Sequence, residues 1–205
     1  IGIQSNFVIY DEDDRQGLIK QAMKDQGVTD AKIKPRVVSG MISTAKNEMI
    51  GPDEFEQTAT YPFQQSVAKI YQSYEALRKE AGALDFDDLL LETVRLFREN
   101  DEVRRKWQRQ FVHIMIDEYQ DTNTCQYKLV KLLTGVEGKF TAVGDDDQAI
   151  YGWRGADVEN LRQLTQDYPG LKVIKLEQNY RSTVRILRAA NQVISNNPKL
   201  FDKKL

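Results

Sequence analysis

Cysteine and histidine are almost missing from this chain: Cys125 and His113 are the single examples in 205 residues. One thiol excludes a disulfide framework and any cysteine-based metal site, and a lone imidazole reads as a hydrogen-bonded strand residue rather than a ligand. No stretch approaches the roughly 18 consecutive apolar residues of a membrane helix. Residues 1–10 have neither the basic flank nor the apolar centre of a signal peptide, so a cytoplasmic setting without a membrane partner is expected. Neither sign of charge prevails: 29 Lys and Arg face 31 Asp and Glu, for a net charge of -2. That balance excludes a uniformly basic nucleic-acid coat but leaves room for a local cationic track. Internal repeats and low-complexity tracts are absent. So is any Gly-x-x-x-x-Gly-Lys-Ser/Thr loop, since Gly138-Lys139-Phe140 fails that pattern on both sides.

What is present is a chain with 40% hydrophobic residues, enough to bury the core of one domain or parts of two. Its first 80 or so residues carry helical spacing. Phe63, Val67, Ile70, Tyr71, Tyr74 and Leu77 recur at intervals of three and four, and Leu18, Ile19, Ala22 and Met23 form a shorter stripe. Lys34-Pro35, Gly51-Pro52 and Tyr61-Pro62 interrupt the pattern as turns would. A small all-helical unit is therefore expected.

From Leu84 onward the pattern changes. Asp85 is placed to cap a helix with a buried face of Phe86, Leu89, Leu90, Val94 and Phe97, with Asp87 and Asp88 in its first turn. Short apolar runs at 111–116 and 140–143 flank a helical stretch at 127–133, which predicts strand, helix, strand in a parallel sheet, with ligands beyond the carboxyl ends of the strands. A third strand is expected at 173–176, followed by a helix over 183–195 capped by Ser182. Leu176 and Glu177 mark a candidate domain entry, and residues 196–205 read as a boundary within an element.

Three segments carry chemistry. The run 114–121 is an apolar strand ending in the adjacent carboxylates Asp117 and Glu118. In nucleotide hydrolysis such a pair divides the work, one carboxylate serving Mg²⁺ while its neighbour orients and deprotonates the attacking water. The alternative is an acidic loop that caps the next helix. The run 143–156 sets Gln148, suited to a γ-phosphate or its attacking water, close to Tyr151, Trp153 and Arg154, which together suit base stacking beside a phosphate contact. The alternative makes Tyr151 and Trp153 core aromatics and Asp145 to Asp147 a solvated turn. Finally, Tyr180 suits stacking on a nucleobase and Arg181 suits a γ-phosphate contact, unless Arg181 simply pairs with Glu177.

In this order and spacing the segments resemble the UvrD/Rep/PcrA-like superfamily 1 DNA helicases. Asp117-Glu118-Tyr119-Gln120-Asp121 is similar to helicase motif II, residues 144–156 to motif III, and Gln178-Asn179-Tyr180-Arg181-Ser182 to motif IV. Leu84-Asp85-Phe86-Asp87-Asp88-Leu89 resembles a further recurrent segment whose chemical role is not evident from sequence. The resemblance implies an α/β fold: part of a RecA-like P-loop NTPase sheet flanked by helices, with a helical subdomain on its N-terminal side. Residues 1–84 would form the 1B-like subdomain, 85–176 the second part of RecA-like 1A, and 177–205 the start of 2A. The phosphate loop would lie upstream of Ile1.

The implied activity is ATP-dependent movement on single-stranded DNA, generally 3′ to 5′, with ATP and Mg²⁺ as cofactors. Its setting would be DNA repair or replication. Single-stranded DNA, tailed DNA and accessory proteins are the implied partners. Asp117 would serve Mg²⁺, Glu118 would be the catalytic base, Gln148 the γ-phosphate sensor, Tyr180 the adenine stack and Arg181 the contact across the cleft. Tyr151, Trp153 and Arg154 would meet DNA. Alternatives are a RecB- or AddA-like helicase-nuclease, a degenerate DNA- or protein-binding module, and a P-loop ATPase acting on proteins. Without the phosphate loop, these residues alone are expected to hydrolyse ATP negligibly.

Overall fold

A computed structural model describes residues 2–28, 33–135 and 138–197, and for Arg154 the backbone alone. The last residues of the third expected segment, 198–205, and the Arg154 side chain lie outside the described set.

The N-terminal half is built from helices that begin where the sequence gives a cap or a proline. Asp11 caps α1 (Glu12–Asp25), its side chain accepting from the backbone N–H groups of Asp13 and Asp14. The three X-Pro pairs, read as turns, are also helix starts: Pro35, Pro52 and Pro62 open α2 (Pro35–Asn47), α3 (Pro52–Thr58) and α4 (Pro62–Glu80). A first-turn proline loses no helical hydrogen bond and has its φ already set. The expected stripes face one another, with Ile19, Met23, Val38, Ile42, Val67 and Tyr71 in a single buried cluster. Phe63, at the edge of its stripe, is exposed.

This half is not wholly helical. β1 (Val8–Ile9) pairs in parallel with β2 (Ala83–Leu84), aligning Val8 with Ala83 and Ile9 with Leu84. Two-residue strands are too short for alternation to register.

Asp85 caps α5 (Phe86–Glu99) through a reciprocal box with Asp88. Val94 and Phe97 are buried as expected, whereas Phe86 is exposed and Asp88 takes a buried place in the first turn. The next helix, α6 (Asp101–Gln110), was not anticipated; only Val103 and Trp107 mark its inner side, and Asn100 caps it through the N–H of Val103.

Strand, helix, strand then follows: β3 (Ile114–Ile116), α7 (Thr124–Thr134) and β4 (Phe140–Ala142), with β3 and β4 parallel and Ile114, Met115 and Ile116 opposite Phe140, Thr141 and Ala142. β3 is shorter than expected because Phe111 and Val112 are exposed and unpaired in the ladder. His113 lies just before it and shares a 2.9 Å hydrogen bond with the Thr141 hydroxyl. Under the sheet, Tyr119, Tyr127, Leu161 and Leu164 form a second core with α8 (Glu159–Asp167).

Residues 173–176 do not form a strand, and Val173, Ile174 and Leu176 are exposed. A strand is defined by a neighbour that takes its backbone hydrogen bonds, which a local apolar run cannot supply. α9 (Val184–Ile194) follows, but Thr183 rather than Ser182 is its first flanking residue and no side chain caps it. The Asn179 side chain accepts from the backbone N–H groups of Arg181 and Ser182 instead. Taken whole, the described chain is mostly helical with two small parallel sheets. No described helix is long and apolar enough to cross a membrane.

Candidate functional site

Asp117 and Glu118 leave the C-terminal tip of β3 and are both solvent-exposed. The Asp117 carboxylate accepts from the Glu118 N–H at 2.9 Å, which braces the turn. Glu118 has φ 49 and ψ 44, in the left-handed region. A non-glycine residue held there costs on the order of 1–3 kcal/mol, and such strain gathers where geometry serves function. The alternative of a plain helix cap is not what is found: α7 is capped by Asn123, which exchanges hydrogen bonds with Gln126.

The loop after β4 packs directly on this turn. Tyr119 N–H donates to the Val143 carbonyl at 2.9 Å, and Val143 N–H to the Ile116 carbonyl at 2.8 Å. Between the two loops lies Gln120, 1% exposed. Its Nε2 donates to the Glu118 carboxylate at 2.7 Å and its Oε1 accepts from the Asp145 N–H at 3.0 Å. The Asp145 carboxylate in turn accepts from Gln148 Nε2 at 2.7 Å and from the Asp147 N–H at 3.1 Å. Glu118 and Gln148 are thus joined through Gln120 and Asp145. Gln120 carried no role in the sequence reading, although its place two residues after the Asp-Glu pair was the available signal.

Gly144 leaves little room at this junction. A Cβ there would stand 3.0 Å from Gln120 Oε1 and 3.4 Å from both Gln120 N and Tyr119 Cβ. The far end of the loop is fastened as well. Asp157 N–H donates to the Thr122 carbonyl at 2.9 Å, and Asn160 Nδ2 donates to the same oxygen at 2.8 Å.

Tyr151 and Trp153 lie between these fastened ends. They are not core aromatics: Trp153 is 74% exposed and Tyr151 38%, with ring centroids 6.4 Å apart and planes inclined by 46°. Asp145, Asp146 and Asp147 are half-buried, and their carboxylate oxygens lie within 4.8 Å of one another. The three make a donor set of carboxylate oxygens only, the chemistry that suits a hard divalent cation such as Mg²⁺, and the exposed Asp117 at the tip of β3 offers the same type of donor.

Tyr180 and Arg181 are brought to none of this. Both are exposed, in the segment before α9, and no contact with Glu118 or Gln148 occurs among the described residues. Arg181 makes no ion pair with Glu177 among those residues either. A cleft of about 670 Å³ opens at the opposite, N-terminal ends of β3 and β4, lined by Arg105, Arg109 and Lys139 among others, and none of the expected site residues lines it. Cys125 is buried, and burial pushes its thiol up to about 11, so it is chemically quiet.

The segment whose role was not evident, Leu84 to Leu89, is the centre of a buried charge network. Lys46 Nζ, 1% exposed, stands 2.9 Å from Glu75, 2.8 Å from Asp85 and 2.7 Å from Asp88. Arg78 pairs with Glu75 at 2.6 Å and Asp88 at 3.1 Å and donates to the Ala83 carbonyl, while the Tyr74 hydroxyl donates to Asp85. Burial works against the Lys46 charge, but Glu75, Asp88 and Asp85 outweigh it and hold the ammonium above its ordinary value. Burial also opposes charge on Asp85, yet Lys46, Tyr74 and the Asp88 N–H keep it down at about 2. Asp88 goes the other way: burial, with Asp85 and Glu75 adding to it, pushes it up to about 7 against the pull of Lys46 and Arg78. The network locks α2 and α4 to the start of α5.

The parallel strands, with a strained Asp-Glu tip hydrogen-bonded to the glutamine-bearing loop beside it, define an α/β unit with one carboxylate-rich edge. Its family follows from comparison: the UvrD/REP helicase N-terminal domain matches residues 1–169, and the chain belongs to that family. Over all 205 residues it is 46% identical to the ATP-dependent DNA helicase Rep of Escherichia coli and 47% to that of Salmonella typhimurium. It is 46% identical to the ATP-dependent DNA helicase PcrA of Staphylococcus aureus. The chain spans 30% of the length of the Rep proteins and 28% of that of PcrA.

Proposed function

We propose that the chain is the central part of an ATP-driven motor that moves on single-stranded DNA, generally 3′ to 5′, in repair or replication. The observation that supports this most directly is the hydrogen-bonded path from Glu118 through Gln120 and Asp145 to Gln148, on the loop that also exposes Tyr151 and Trp153. A nucleotide edge and a base-stacking platform sharing one fastened loop is what coupling hydrolysis to movement needs.

In this reading the residues divide as follows. Asp117 would hold Mg²⁺, and the ion would supply charge neutralisation for the phosphates. Glu118 takes the proton of the attacking water, and its exposed carboxylate is oriented by Gln120. Gln148 senses the γ-phosphate, exchanging its bond to Asp145 for one to the nucleotide. Tyr151 and Trp153 stack on bases, with Arg154 at a phosphate. Tyr180 stacks on adenine and Arg181 reaches the γ-phosphate when two RecA-like lobes close, a domain movement that fits their present exposure and lack of partners at the site. Residues 1–84, 85–176 and 177 onward are assigned to 1B-like, 1A-like and 2A-like units.

These 205 residues contain no phosphate-cradling loop, so alone they hydrolyse ATP negligibly. Robust turnover by them, lost on Glu118→Gln, would refute that point. The experiment for the whole reading is ATP hydrolysis by the complete native protein with and without single-stranded DNA, beside Glu118→Gln. Stimulation that collapses in the variant supports the motor. No hydrolysis in either, with DNA binding kept, favours a binding module that has lost its chemistry.

A further inference from the structure

Gln120 stands apart from the other polar residues near the site because it is buried yet bonded at both ends to exposed, expected functional segments. We propose that Gln120 is a positioning residue that transmits the state of the Tyr151–Trp153 loop to the Glu118 carboxylate, making hydrolysis responsive to the bound strand. This rests on the motor reading above and names the device by which its two halves communicate.

The amide admits only one orientation. A backbone N–H can only donate, so the atom facing Asp145 N must be the oxygen, at 3.0 Å, and the NH₂ group must then face Glu118, at 2.7 Å. The same planar group therefore fixes both distances, and displacement of the Asp145 N–H shifts the seat of the Glu118 carboxylate. The Gln120 side chain itself is buried, so the amide has no other place to turn its two ends.

Displacement of the loop is also channelled toward this contact. Its far end is held by Thr122, through Asp157 N–H and Asn160 Nδ2, and Thr122 and Asn160 are themselves buried. The exposed aromatics lie between the two fastenings. A strand engaging Tyr151 and Trp153 thus strains a loop whose near end is Gly144-Asp145. Gly144 seats the backbone so closely on Gln120 that a methyl group there would meet Oε1 at 3.0 Å.

That close approach supplies a test that a merely structural glutamine would not pass. In the complete native protein, ATP hydrolysis is measured at saturating single-stranded DNA for wild type, Gln120→Ala, Gly144→Ala and the double variant, with ATP KM, DNA Kd and thermal melting alongside. Gln120→Ala is expected to lower the DNA-stimulated kcat by about tenfold to a hundredfold, the scale of a small misplacement of a reacting group, while ATP KM and DNA Kd stay at wild-type values. Gly144→Ala should lower kcat in the wild-type background by pressing on Oε1, and should cost nothing further once Gln120 is alanine. Gln120→Glu, nearly isosteric, keeps the acceptor for Asp145 N–H but repels Glu118, and should lose kcat even if the alanine variant folds poorly. A Gln120→Glu protein with wild-type kcat, or losses that multiply independently in the double variant, would overturn the proposal. A wild type without DNA-stimulated hydrolysis would instead sink the motor reading, and this inference with it.

Discussion

Replacing Lys46 with methionine isolates the network that joins the helical half to α5. Lys46 and Arg78 face Glu75, Asp85 and Asp88, so two cations meet three carboxylates, and all five side chains are nearly excluded from water. Methionine fills most of the lysine's space but leaves one cation against three carboxylates. Breaking a buried ionic group by removing one partner costs about 3–5 kcal/mol, because the partners stay buried without compensation. A loss of about 3–5 kcal/mol is therefore expected in denaturant unfolding of the complete protein at pH 8. The effect should also depend on pH. Without the ammonium, the lowering that Lys46 exerts on Glu75, Asp85 and Asp88 is lost and their folded pKa values rise, so the penalty is greatest at high pH and shrinks as pH falls and they take up protons. Asp88, already pushed up to about 7 in the intact network, should take up a proton first. The gap between variant and wild type should therefore be smaller at pH 5 than at pH 8. A variant within about 1 kcal/mol of wild type at pH 8, or a gap that does not change with pH, would refute the reasoning.

Trp153→Ala should weaken single-stranded DNA binding by about 1–3 kcal/mol, the value of one base stack, without moving ATP KM; equal affinity in a fluorescence titration would remove Trp153 from the platform. Asn160→Ala removes one of the two donors to the buried Thr122 carbonyl, which keeps the Asp157 N–H, and should cost about 0.5–1.5 kcal/mol in denaturant melts. Gly138→Ala combines a φ of +57° with a Cβ 2.9 Å from Tyr168 Cδ1; it should destabilise by at least about 1 kcal/mol, and an unchanged melting curve would mean that the turn is not held as described. Below about pH 4 the wild type should lose stability as pH falls, because the contribution of Asp85, held at about 2, is present above its unfolded pKa and lost through its folded one.

The sequence made legible whatever is local. Helical spacing at 63–77 and the cap at Asp85 depend on residues within one or two turns, and α4 and α5 form where they were expected. Apolar runs predicted β3 and β4 for the same reason. What failed depended on distant partners. Residues 173–176 have the composition of a strand and no strand beside them among the described residues, while β1 and β2 have almost no local signal and pair because two remote dipeptides meet. Phe86 reads as core by periodicity, yet the buried first-turn place belongs to Asp88, because Lys46 and Arg78 arrive from other helices to compensate its charge. No spacing rule announces a buried ion pair across 42 residues.

The candidate site divides along the same line. Asp117, Glu118 and Gln148 could be picked out because their residue types at strand tips already suggest chemistry. Gln120 could not, because an amide has no distinctive chemistry until its two partners are known. Its meaning is entirely in geometry: a buried glutamine two residues from Glu118 and 25 from Asp145 that bonds to both. That is also why its loss should differ in kind from the loss of Glu118. On the proposed reading, removing Glu118 takes away the proton acceptor itself, whereas removing Gln120 leaves every reacting group present and takes away the connection that aligns Glu118 with the loop carrying the exposed aromatics.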